Sequence, residues 1–181
     1  MNAIGFLELN SIAKGIETAD IILKTAEVRL VFAQASCPGK YQIFFTGEVA
    51  AVQAAMDAGR QTGGTYVVDG CVIPRLHPQV IRAIHGAAPL SENGAVGVME
   101  FFSITASVYA ADAAVKAAEV ELLTIRLGTG IGGKSFVVLT GTVAAVKAAV
   151  DAGEADANAE GMLMTSVVIP NPDPALFDTL L

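Results

Sequence analysis

The chain has 181 residues, a net charge of −7 and a hydrophobic fraction of 53%. Nucleic acids and anionic membranes require clustered Lys and Arg, so the acidic balance argues against both as partners. The longest stretches without a charged side chain (135–146 and 161–172) are too short to span a bilayer, and the N-terminus lacks a secretory pattern. We therefore expect a cytosolic protein whose two cysteines are free thiols and whose apolar excess is buried in a homo-oligomer.

The first part of the chain predicts alternating strands and helices. Ala3–Leu9 is predicted as a strand, and Ser11 is a candidate N-cap for a helix, because apolar residues then recur at helical spacing. Two further strands (29–34 and 40–46) flank a Cys-Pro-Gly break, and an Ala-rich helix (49–60) precedes a fourth strand (65–73). A short helix is expected over 77–84. The order is βαββαβ plus a small helix, which is the ferredoxin-like pattern.

The same pattern is written twice. Gly5 returns as Gly97 and Ser11 as Ser103, at an offset of 92 residues. The match continues with small insertions, and Gly-Lys at 39–40 returns at 133–134. A long self-match of this kind indicates a duplicated domain. The predicted fold class is therefore α+β, with two tandem ferredoxin-like domains at residues 1–90 and 91–181.

The repeated residues resemble bacterial microcompartment (BMC) shell domains. The resemblance is carried by the segment 3–8, by Asp20 with Lys24, and by the Gly-Lys after a hairpin-like loop. Two copies in one chain resemble the tandem-domain shell proteins, which form trimers that imitate hexameric discs. The segments 11–15, 37–40 and 130–134 resemble one tandem-domain type of propanediol-utilisation shell protein, which carries an iron–sulfur cluster at its threefold pore.

The resemblance implies a set of roles for individual residues. Cys37 is the implied ligand of one [4Fe–4S] cluster per trimer, since three symmetry-related thiolates can hold three irons, whereas one chain has no Cys-x-x-Cys motif. Lys24 and Lys116 are the implied contacts between neighbouring discs. The implied pore-loop residues are Ser36, Pro38, Gly39, Gly128, Thr129, Gly130, Ile131 and Gly132.

The expected function is thus a shell building block and not an enzyme, located in the wall of a bacterial microcompartment. Its expected partners are two further copies of itself, other shell proteins and a redox enzyme in the lumen, with the cluster conducting electrons across the shell. The alternative function for the same trimeric disc is a metal-free pore through which small metabolites pass.

Four other features have ordinary structural explanations. Residues 128–135 satisfy the phosphate-loop pattern G-x-x-x-x-G-K-[ST], but the pattern works only before a helix, and residues 136–140 predict a strand. Cys71 corresponds to Val167 in the second copy, which indicates a packing position. His77 precedes a proline and suits a helix cap, while the repeated Glu8 and Glu100 suggest a role in holding the two halves together.

Overall fold

The computed structural model describes residues 3–86, 94–159, 161–177 and 179–180. The predicted domain boundary between residues 90 and 91 lies outside the described residues. No helix in these ranges is long and apolar enough to cross a membrane.

The described part of the first half contains four strands and three α-helices in the predicted order. They are β1 (Ala3–Leu9), α1 (Ile12–Thr25), β2 (Val28–Ser36), β3 (Lys40–Gly47), α2 (Val49–Gly63), β4 (Val67–Pro74) and α3 (Pro78–Ile84). The predicted cap is confirmed, because the Ser11 hydroxyl accepts a hydrogen bond from the Lys14 amide at 3.3 Å. His77 likewise caps α3, where its side chain accepts from the Gln79 amide.

The second half repeats this order. Its elements are β5 (Ala95–Phe101), α4 (Ile104–Ala117), β6 (Glu121–Leu127), β7 (Ser135–Gly141), α5 (Val143–Ala159), β8 (Leu163–Ile169) and α6 (Pro174–Phe177). Ser103 caps α4 as Ser11 caps α1, accepting from the Ala106 amide.

Each half forms one antiparallel sheet with the strand order of a ferredoxin-like fold. The orders are β2-β3-β1-β4 and β6-β7-β5-β8, so the first strand of each repeat lies in the interior of its sheet. The registers also repeat, since Ala3 pairs with Gly47 and Ala95 with Gly141. The predicted duplicated α+β fold is confirmed.

The chain divides into two compact units whose limits differ from the sequence repeats. One unit contains the chain up to Leu76 together with Thr129–Gly133, and the other contains His77–Gly128 and the chain from Lys134 onward. Helix α3 therefore belongs with the second unit, where the Gln79 side chain bonds the Val120 carbonyl and the Leu122 amide. Five residues of the second repeat belong with the first unit.

The apolar spacing that predicts α1 does not mark its buried face. Ile12, Ile16 and Leu23 are 42%, 56% and 42% exposed, and the helix buries Gly15, Thr18, Ala19 and Ile22 instead. The reason is a close approach to β3, because a Cβ at Gly15 would collide with the Tyr41 side chain. The helix thus packs through Ile22 and several small residues, and it leaves three other large apolar side chains exposed.

Candidate functional site

The candidate thiol lies in the tight turn between β2 and β3. Ser36 and Lys40 pair at the ends of the two strands, and the Gly39 amide donates to the Ser36 carbonyl at 2.9 Å. Gly39 has a φ of 100°, a conformation that glycine adopts without steric cost. The Cys37–Pro38 peptide bond is cis. Cys37 is half-buried and forms no disulfide.

The glycine-rich loop of the second repeat lies against this turn. Gly128, Gly130, Gly132 and Gly133 all have positive φ, between 68° and 79°. Gly133 is buried, and a Cβ there would lie 2.5 Å from Pro38 Cδ and 2.6 Å from the Cys37 carbonyl oxygen. Only glycine permits this approach. The structure thus brings Gly133, the residue that follows the predicted pore-loop segment, against the Cys37 turn within the first unit.

The loop is not a phosphate loop. The residue after Lys134 begins strand β7 (Ser135–Gly141), so the loop leads into a strand and not into the N-terminus of a helix. A phosphate loop places its anion at such a helix end. The prediction that the pattern is accidental is confirmed by this geometry.

A buried ion pair lies beneath the turn, and the sequence interpretation missed it. Lys40 Nζ lies 2.7 Å from Glu8 Oε1, and the Glu8 side chain is fully buried. The same ammonium donates to the Gly133 carbonyl at 3.4 Å. Lys40 therefore joins a buried carboxylate to the loop that packs on Cys37.

The second repeat contains the equivalent pair in a more exposed form. Lys134 Nζ lies 2.5 Å from Glu100 Oε1, with side chains 37% and 28% exposed. Both partners of each pair belong to the same unit, and a role of the glutamates in holding the halves together stays a prediction. The available signal was the recurrence of both Glu and Lys with the repeat.

Comparison with known proteins identifies the family. The BMC domain matches residues 3–76 and again residues 95–172. The chain belongs to the bacterial microcompartment shell proteins. It is 41% identical to the bacterial microcompartment shell protein PduT of Citrobacter freundii over 97% of this chain and 95% of that protein.

Solved structures agree with this assignment. A microcompartment protein from Desulfitobacterium hafniense DCB is 49% identical, with a TM-score of 0.85 over 97% of this chain and 98% of that one. A fused permuted hexameric shell protein, MSM0275 from the RMM microcompartment, is 25% identical, with a TM-score of 0.65 over 87% and 81% of the two chains. The predicted family, the structural and non-enzymatic role and the location in a microcompartment shell are confirmed.

The two lysines predicted at the edges of this shell protein occupy equivalent helix ends. Lys24 lies 2.5 Å from Asp20, and both side chains are largely exposed. Lys116 pairs with Asp112, which is almost buried and also accepts from the His77 amide at 2.8 Å. Lys24 is therefore the more accessible of the two, and the edge role of both stays a prediction.

Cys71 lies on an edge strand of the shell domain. It pairs with Phe6 across β1 and β4, and it is half-buried. Its counterpart Val167 is 47% exposed. The predicted packing position is therefore only partly buried, because β4 and β8 are edge strands. Within the described ranges, one chain offers no group of three His, Cys, Asp or Glu side chains that could hold a metal ion.

Proposed function

We propose that this shell protein forms a homotrimer that holds one [4Fe–4S] cluster at its threefold axis through three copies of Cys37. The observation that carries the proposal is the geometry of the turn. The Cys37 thiol is half-buried and forms no disulfide, and the Gly133 backbone packs closely against the turn that contains it. The similarity to PduT supports a shell protein of that type.

The trimer is supported by the unequal burial of equivalent helix faces. Ile12 and Ile16 of α1 are 42% and 56% exposed, whereas their repeat partners Ile104 and Val108 in α4 are fully buried. A surface that is covered in one copy and exposed in the other suits a ring, in which a second chain covers the exposed face. Three two-domain chains supply six BMC domains, and the fused relative is described as hexameric.

The donor set fits a cluster shared between chains. Each chain contributes one thiolate, and three thiolates hold three irons of a cubane cluster. The Ser36 hydroxyl, beside Cys37, is buried and has no hydrogen-bond partner in the described part of the chain. Such a hydroxyl is a donor of the kind that cluster sulfurs accept. A bound cluster would supply one-electron chemistry, and the residues around it would hold it and close the pore to metabolites.

The cluster is tested by iron and sulfide analysis of anaerobically purified protein. We expect about four irons and four sulfides per three chains, with an absorbance band at about 400 nm. Cys37→Ser should abolish both, while Cys71→Ser serves as the matched control and should keep them. A colourless wild-type protein without iron would contradict the cluster and favour the metabolite pore.

Electron conduction is tested with shells that enclose a reductant and face an external one-electron acceptor. The wild-type protein should pass electrons to the acceptor, and Cys37→Ser should stop the transfer. Equal transfer by both proteins would end the proposal of a conduit, although the cluster itself could still be present.

Assembly with other shell proteins is tested at the two lysines. We propose that Lys24 and Lys116 contact neighbouring discs, so Lys24→Ala and Lys116→Ala should reduce two-dimensional arrays in electron micrographs. The trimer should persist in native mass spectra of both variants. Lys14→Ala is the control, because Lys14 is also a helical lysine paired with a carboxylate, Glu17. Undiminished arrays would remove the lysines from the edge.

A further inference from the structure

We infer that Gly133 and Lys40 are positioning residues for the Cys37 thiol, and that the glycine loop of the second repeat exists to support the cysteine turn of the first. The inference rests on the proposed function, because it concerns the residues that would present the thiol to a cluster. The glycine loop would thus hold the cysteine turn in place as well as line the pore.

The first support is backbone packing at Gly133. Its φ of 78° and the 2.6 Å between an added Cβ and the Cys37 carbonyl oxygen leave no room for a side chain. The carbonyl of Cys37 and the ring of Pro38 therefore rest directly on the Gly133 backbone. Displacement of this glycine must displace the peptide unit that carries the thiol.

The second support is the ammonium group of Lys40. Glu8, which is fully buried, holds Lys40 Nζ at 2.7 Å, and the same nitrogen donates to the Gly133 carbonyl at 3.4 Å. A buried ion pair has a fixed geometry, because separating the charges in the interior is costly. Lys40 therefore transmits the fixed position of Glu8 to the loop.

Within the described residues, the equivalent lysine of the second repeat makes different contacts. Lys134 bonds Glu100, and its ammonium lies 3.5 Å from Met164 Sδ. Its neighbouring residues 129–133 belong with the first unit. The support is thus built once, at the turn that contains the cysteine.

The sharpest test compares two glycines with the same backbone conformation. Gly133 and Gly130 both have a φ of 78°, but no described atom lies within 4 Å of a Cβ at Gly130. Alanine at either position incurs the same backbone strain, so any difference reports the contact with Cys37. Hydrogen exchange in iron-free protein is the measurement, with the Gly39 amide as the reporter because it donates to Ser36.

We expect Gly133→Ala to accelerate exchange at Gly39 and Lys40 by about tenfold, and Gly130→Ala by less than about twofold. Iron incorporation should fall in Gly133→Ala alone. Equal exchange in the two variants would overturn the inference.

A second pair of variants avoids the strain of a substituted glycine. Glu8→Gln with Lys40→Met removes the charge pair without leaving an unpaired buried charge. Glu100→Gln with Lys134→Met is the matched control in the second repeat. Only the first double variant should speed exchange across residues 129–133 and at Gly39, and exchange that is unchanged in both would contradict the role of Lys40.

The two proposals fail separately. Exchange is measured without iron, so it tests the positioning whether or not a cluster binds. If wild-type protein binds no iron but Gly133→Ala still loosens the turn, the cluster is wrong and the support is retained. If wild-type protein binds iron and both alanine variants bind it equally, the support is wrong and the cluster is retained.

Discussion

The two halves share the same β-hairpin, but the loop that joins its two strands differs between them. Strands β2 and β3 are joined by the three residues Cys37–Gly39, while β6 and β7 are joined by the longer run 128–134. Both hairpins keep a lysine where the second hairpin strand begins, as the first residue of β3 and as the residue just before β7, and a glutamate on the adjacent strand. Duplication thus preserved the frame, and the connecting loops diverged, as is usual for the parts of a fold that carry function.

The conserved ion pair also differs between the halves, in its burial. The Glu8 side chain is 0% exposed and Lys40 is 16% exposed, against 28% and 37% for Glu100 and Lys134. Removing one partner of a buried pair costs far more stability than removing one partner of an exposed pair, because the remaining charge is then buried without a counter-charge. The same substitution should therefore have very different costs in the two halves.

The largest effect is expected for Lys40→Met. It leaves the buried Glu8 carboxylate without its ion-pair partner and should lower the free energy of unfolding by about 3–5 kcal/mol. Lys134→Met should cost at most about 1 kcal/mol, since its partner remains accessible to water. Urea unfolding of the two variants measures the difference, and equal losses would show that the two pairs are energetically equivalent despite their burial.

The comparison of helices α1 and α4 predicts the next largest effect. Val108 is fully buried, and its repeat partner Ile16 is 56% exposed. Val108→Ala should reduce the stability of the chain by about 2 kcal/mol through lost burial and an incompletely filled cavity. Ile16→Ala should leave the stability of a dilute monomer within about 0.5 kcal/mol.

The oligomer should respond in addition at Ile16. If a second chain covers α1, Ile16→Ala weakens the trimer, which should then dissociate at a higher protein concentration than the wild-type trimer does. Sedimentation or native mass spectrometry measures this concentration. A trimer that dissociates no more readily than wild type would place α1 outside the interface and weaken the argument for a ring.

Much of this fold could be predicted because local signals agreed with one another. Ser11 and Ser103 start their helices, and the strand Ala3–Leu9 has the predicted limits, because caps and apolar runs act over a few residues. The duplication strengthened each assignment, since every element had to satisfy two sequences. The strand predicted after Lys134 also excludes a phosphate loop on the sequence alone.

The parts that could not be predicted depend on tertiary packing. The buried face of α1 is set by the close approach of Gly15 to Tyr41, which no periodicity reveals. The Glu8–Lys40 pair requires two strands that are adjacent in the sheet but distant in sequence. The placement of 129–133 with the first unit crosses the repeat boundary, so an alignment of one copy with the other hides it.

The smallest predicted effect compares the two helix caps. Ser11 Oγ accepts from the Lys14 amide at 3.3 Å and Ser103 Oγ from the Ala106 amide at 3.2 Å, but Ser103 and Ala106 are buried. Water can replace the lost acceptor at the partly exposed Ser11, so Ser11→Ala should cost about 0.5–1 kcal/mol. Ser103→Ala leaves a buried amide unpaired and should cost about 1.5–2 kcal/mol. Thermal unfolding of both variants measures the difference, with Ser→Thr at each position as the control that keeps the acceptor. Equal costs at the two caps would mean that water reaches Ala106, and that α4 begins in a less closed environment than its burial indicates.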